Sequence, residues 1–159
     1  MTIKSNFLIL IAAFFLFSCD QKRIFDDYKS IDDSWNKDSI VSFDLPKLDT
    51  KKQYNLFLTL RGNNDYPYNN LFLIVNLDQP DGVTKVDTLE YEMADPEGNL
   101  LGNGFTDVKE SKLIYKEKML FKNGKYKVHI KHAVRKTGKI SGDEKLKGIT
   151  EVGFRIESL

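Results

Sequence analysis

The chain has 159 residues, 24 of them basic and 23 acidic, so no net field gathers nucleic acid or acidic lipid, and no nucleic-acid partner is expected. Hydrophobic residues make up 41%, a globular composition rather than a disordered one. A single cysteine excludes an internal disulfide, so any fold must hold by packing.

The N-terminal segment sets one charge, Lys4, before an unbroken apolar run over residues 7–17, followed by the small Ser18 and then Cys19. That order marks a secretory signal peptide. As a helix the run spans ~16 Å, against ~30 Å of bilayer hydrocarbon, which is too short for a transmembrane anchor. Leu16-Phe17-Ser18-Cys19 resembles the bacterial lipobox, although Phe17 is bulkier than the residue usual at its place. A thiolate is the natural nucleophile for acyl-glyceryl transfer. The expectation is therefore a signal peptide over residues 1–18 and a mature chain beginning at Cys19. That cysteine would carry diacylglyceryl and N-acyl lipid and tie the chain to a bilayer, with no other cofactor.

Residues 19–34 read as a lipid-anchored tether, in which the partly helical spacing of Ile24, Phe25, Tyr28 and Ile31 offers apolar anchors for docking some of it on the domain. Its acid pairs, Asp26-Asp27 and Asp32-Asp33, do not immediately follow Cys19, which favours a periplasm-facing orientation. The domain is expected over residues 35–159. From Ile40 onward the hydrophobic period is two, the pattern of strands. Val41, Phe43 and Leu45 form one inward row, and Tyr54, Leu56, Leu58 and Leu60 form the next. Leu71, Leu73, Val75 and Leu77 make a third, with Phe72 and Ile74 opposite them, so this strand is expected to be central and buried on both faces. Pro80-Asp81-Gly82 predicts a turn back into a strand bearing Leu89, Tyr91 and Met93, and Asp95-Pro96-Glu97-Gly98 predicts another turn. Residues 109–118 fit a short helix or a strand. Asn123-Gly124 is a hairpin signal, predicted to join a strand over residues 119–121 to one with Tyr126, Val128 and Ile130. A last strand carries Val152, Phe154 and Ile156. Seven or so short strands predict an all-β fold, an antiparallel β-sandwich of jelly-roll or Ig-like kind, with a β-barrel as the alternative.

Catalytic motifs are sparse. His129 and His132 fall on opposite faces of a strand and cannot readily share a metal, so no metal site is expected. His132 falls in the inward row, as a hydrogen-bonded core residue. Glu90 and Glu92 read as the solvated side of a strand. No Gly-X-Ser-X-Gly elbow is present, and no enzyme is expected. The densest polar-aromatic stretch runs from Arg61 to Asn70. Within it Asn63, Asn64, Asp65, Tyr66, Tyr68 and Asn69 are a candidate partner-binding loop, since Tyr and Asn offer aromatic faces and adaptable hydrogen bonds. A self-satisfied turn is the simpler reading of the same residues. A glycan-binding lipoprotein using Trp35, Tyr66 and Tyr68 as stacking platforms is a further alternative.

Several stretches carry a family resemblance. Ser34-Trp35-Asn36-Lys37-Asp38, Tyr54-Asn55-Leu56-Phe57, Tyr68-Asn69-Asn70-Leu71-Phe72, Asp87-Thr88-Leu89-Glu90-Tyr91, His132-Ala133 and Gly148-Ile149-Thr150-Glu151-Val152 resemble, in matching order, the gliding-motility lipoprotein GldH family. The resemblance implies a membrane lipoprotein of the cell envelope needed for gliding, tied to type IX secretion. It implies other envelope proteins of that machinery as partners. It assigns no catalytic residue, and Cys19 alone carries over, as the lipid site.

Overall fold

The computed structural model describes residues 21–104, 106–136, 138 and 140–159. Ten strands run in the order β1 (Arg23–Ser30), β2 (Trp35–Asn36), β3 (Val41–Asp44), β4 (Gln53–Gly62), β5 (Asn70–Asp78), β6 (Thr84–Glu92), β7 (Lys109–Leu120), β8 (Lys127–His132), β9 (Lys145–Leu146) and β10 (Ile149–Ser158). Two four-stranded antiparallel sheets, β1-β10-β4-β7 and β3-β8-β5-β6, face each other, and the short pair β2-β9 closes one end. The architecture is the expected all-β sandwich. Between the neighbouring edges β6 and β7 the contacts include side-chain bonds: the Tyr91 hydroxyl donates to the Ile114 carbonyl (2.8 Å) and the Tyr115 hydroxyl to Asp87 (2.8 Å). No strand ladder joins the two main sheets among the described residues, so the fold is a sandwich and not a barrel.

The period-two rows meet where a sandwich requires. Leu56, Leu58 and Leu60 of β4 and Val152, Phe154 and Ile156 of β10 are buried, as are Leu71, Leu73, Val75 and Leu77 of β5 and Val128 and Ile130 of β8. Phe43 stacks on Phe154 with ring centroids 6.2 Å apart. Each such side chain contributes about 1.5–3 kcal/mol by leaving water, and no staple is needed.

Three expectations are corrected, and one alternative is resolved. The segment read as part of a tether enters the fold, because Arg23–Ser30 pairs along β10. Its outward side chains explain the pairing: Asp26 accepts from Arg155 (3.0 Å), and Tyr28 lies over Gly153, where a Cβ would come 2.8 Å from the ring. Residues 109–118 are strand and not helix. Asn123-Gly124 is no hairpin turn, because β7 pairs with β4 whereas β8 pairs with β3 and β5. The connection instead crosses between sheets, with Phe121 and Tyr126 packed edge to face at 4.8 Å. Gly124 still requires glycine there: its φ is +136°, and a Cβ would lie 2.3 Å from Pro80. Finally, β5 is an interior strand, but Phe72 and Ile74 on its outer face are only half-buried. The strand buried on both faces is β4, where Phe57 and Thr59 join the inward leucines.

Candidate functional site

Residues 63–69 link β4 to β5 at the end of the sandwich where β1 finishes and β10 begins. Asn63 starts the loop by donating its backbone N–H to the Gly148 carbonyl (2.8 Å). Its side-chain oxygen accepts from the Asp65 N–H (3.0 Å), and its carbonyl accepts from the Tyr66 N–H (3.1 Å), an Asx turn followed by a tight turn. Tyr66 then plunges inward. Its ring is buried, and its hydroxyl donates to the Asn70 carbonyl (2.7 Å). Burial pushes that phenol above its ordinary range.

Tyr68 meets Tyr66 edge to face at 6.0 Å and donates its hydroxyl to Asp143 (2.6 Å). Burial and this bond push the Tyr68 phenol up to about 12, and the same bond holds the Asp143 carboxyl below its ordinary value. Asn64, Asp65 and Asn69 are exposed, as is Pro67, while Asn63 and Tyr68 are half-buried. Asp65, Pro67 and Tyr68 share an open groove of about 460 Å³ with Lys136, Asp143, Lys145 and Lys147. The candidate loop is therefore a preformed platform: its backbone is held by these bonds, and its polar tips and the neighbouring lysines face solvent. The contribution of Lys136, Asp143, Lys145 and Lys147 is not legible in the sequence, where they pass for an ordinary polar loop. Only Gly148 hints at it, since its φ of +82° brings its backbone against Tyr66.

Two of the three aromatic residues in the glycan alternative cannot serve as it requires. Trp35 is fully buried, donates its indole N–H to the Ser39 carbonyl (3.1 Å) and packs on His132 at 5.4 Å. Tyr66 is buried as described, which leaves only the half-buried Tyr68 for stacking.

His132 sits in the inward row, as read from the sequence, and its Nε2–H donates to the Trp35 carbonyl (3.0 Å). Its Nδ1 is buried with no partner, so a second proton there would have no acceptor. Burial lowers its pKa from the ordinary 6.5, opposed by the Trp35 bond and by Asp143. Below that ordinary value the unfolded chain takes a proton that the folded chain refuses, so the His132 contribution is present above pH ~6.5 and declines as pH falls towards the lowered value. Urea midpoints measured between pH 7.5 and 5 should fall more steeply for the wild type than for His132→Gln; parallel profiles would contradict this placement of the ring.

On the outer face of the second sheet, the Ser42 hydroxyl donates to His129 Nδ1 (2.7 Å), and His129 Nε2–H donates to Asp78 (3.0 Å). The residue types are those of a hydrolytic triad, but the setting is not. The row lies across β3, β8 and β5, where β8 is paired on both sides, so its backbone N–H groups are spent in ladders. Asp78 also accepts from Thr84 (2.6 Å). The arrangement acts as a polar tie across the strands. Glu90 and Glu92 are exposed on β6. Among the described residues, no group of three His, Cys, Asp or Glu could hold a metal. Cys19 lies outside the described residues.

The family model described as GldH lipoprotein matches residues 23–156. The chain is 66% identical over 157 residues to the gliding motility lipoprotein GldH of Flavobacterium johnsoniae, covering 99% of this chain and 98% of that one. It is 52% identical to a GldH homolog of Christiangramia forsetii, covering 96% and 94% respectively. Among solved structures, a GH115 4-O-methyl-α-glucuronidase aligns at a TM-score of 0.45 and 13% identity, over 89% of this chain and 18% of its own.

Proposed function

The chain belongs to the GldH lipoprotein family, and from that premise we propose that it works as a lipid-anchored, non-enzymatic scaffold in the gliding machinery of the cell envelope. The observation that carries this reading is similarity at 66% identity along 99% of the chain to a gliding motility lipoprotein. Acyl chains on Cys19 hold the domain at the membrane, each buried methylene contributing about 0.8 kcal/mol. The domain faces the periplasm. Its partners are other envelope proteins of gliding and of the type IX secretion that exports surface adhesins. The fixed loop carrying Asn64, Asp65, Tyr68 and Asn69 is the surface offered to them, since a preformed loop spends little ordering entropy on binding.

The test is genetic. Deleting the gene in its own organism should abolish colony spreading and adhesin secretion, and the wild-type gene should restore both. The pair Asp65→Lys and Asn69→Ala, at exposed positions that leave the sandwich intact, should restore neither fully. Normal spreading and a normal secretome in the deletion strain would refute the role. Full rescue by the loop pair would refute the loop as the partner surface.

A further inference from the structure

The near-zero net charge hides a segregation along the sandwich. Strand registers gather the start of β1, the ends of β3, β5 and β7 and the starts of β4, β6 and β8 at one end. Lys22, Lys47, Lys51, Lys52, Lys122 and Lys125 are all exposed on the segments there. The acids of this end are largely engaged: Asp81 pairs with Lys122, Asp44 with Lys127, and Asp78 holds His129 and Thr84. Glu157, opposite Arg23, is held by Lys112 and Arg155, and Asp49, Glu117 and the C-terminal carboxylate are the other negative groups among the described residues. Among the described residues Lys22, Lys47, Lys51, Lys52 and Lys125 have no carboxylate within ion-pair distance. Val83, Leu120 and Leu159 stand exposed beside them, at 51%, 57% and 64%. The opposite end mixes Asp65, Asp95 and Asp143 with Lys136, Lys145 and Lys147 and has no such bias.

This basic, partly apolar end is also the end at which β1 begins. Only three residues separate Cys19 from Arg23, which covalent geometry limits to about 14 Å of reach. About 5–7 Å of that is taken in crossing a headgroup layer, so the start of β1, with Lys22, lies within roughly one Debye length of the surface, and the other lysines share that end. We infer that this end of the sandwich docks flat on an anionic phospholipid surface, with the lysines on the headgroups. The inference rests on the proposed acylation of Cys19 for its reach and on charge complementarity for its partner. Docking stands the sandwich upright and directs the loop at residues 63–69 away from the membrane. The balance of charges in the sequence alone gave the opposite expectation, because it contains no information on where the charges gather.

Acylation leaves the wild-type chain without a free thiol, so one introduced cysteine can be labelled specifically. Acylated chains with a fluorophore on Asn123→Cys or Asn64→Cys are placed in vesicles bearing a headgroup quencher. The vesicles are of phosphatidylcholine alone or mixed with phosphatidylglycerol. The probe at position 123 should be quenched several-fold more on the mixed vesicles, and high salt or Lys51→Glu/Lys52→Glu/Lys125→Glu should remove the difference. Lys136→Glu/Lys145→Glu/Lys147→Glu should leave it in place, and the probe at position 64 should stay bright throughout. An acylated chain whose position-123 probe ignores phosphatidylglycerol overturns the docking and keeps the anchor. A chain found with its Cys19 thiol free that still co-sediments preferentially with mixed vesicles overturns the anchor and keeps the docking.

Discussion

Cys19→Ser is expected to reduce palmitate labelling of the chain to background and colony spreading to the level of the deletion strain. A serine hydroxyl is not ionised at neutral pH and does not replace the thiolate as acceptor of the glyceryl group. The loss cannot be made up elsewhere, because the sequence has no second cysteine. Two or more acyl chains separate a durable anchor from a reversible one, so the expected change is all or none rather than graded. Labelling of Cys19→Ser equal to wild type would remove the lipid site. Background labelling with normal spreading would instead separate the anchor from the function.

Gly148→Ala should unfold the chain more readily by about 3 kcal/mol, lowering the melting midpoint by roughly 10 °C. Two costs add. At φ +82° an alanine takes the left-handed conformation, at about 1–2 kcal/mol. Its Cβ would also stand 2.1 Å from the Tyr66 nitrogen and 2.4 Å from its Cα. Both obstacles are backbone, so relief requires moving the loop that carries Tyr66 and Tyr68. Gly82→Ala is the control, since Gly82 has φ +78° with nothing within 4 Å of its Cβ position and should cost only about 1 kcal/mol. Equal melting of the two variants would show that Gly148 is not clamped between the loops. If Gly148→Ala folds at low temperature, its displaced loop should also impair spreading.

The sequence made local features legible and long-range ones much less so. Alternation placed the inward rows of β4, β5, β8 and β10, and it put His129 and His132 on opposite faces, because side-chain direction depends only on period. The turn at Pro80-Asp81-Gly82 joins β5 to β6 as expected, since its geometry is written in those residues. Asn123-Gly124 misled because a turn signal cannot say which sheet each flanking strand will join, and that choice is made by pairing partners far along the chain. β1 was hidden for the same reason: Asp26 looks like part of a solvated tether until Arg155, 129 residues away, is laid beside it. Trp35 and Tyr66 show a third limit. An aromatic ring in a polar stretch has the same composition whether it faces solvent or plugs a core. Here Leu146 opposite Trp35 and Gly148 beneath Tyr66 decide for burial.

The lipid anchor is the premise on which orientation, partners and role depend, and one mass decides it. The protein should be extracted from envelope membranes of its own organism and its intact mass measured with that of its N-terminal peptide. The account predicts a chain beginning at Cys19, heavier than its polypeptide by a diacylglyceryl group and an N-acyl chain. A chain cleaved at another position, with an unmodified thiol and recovered from the soluble fraction, would contradict it.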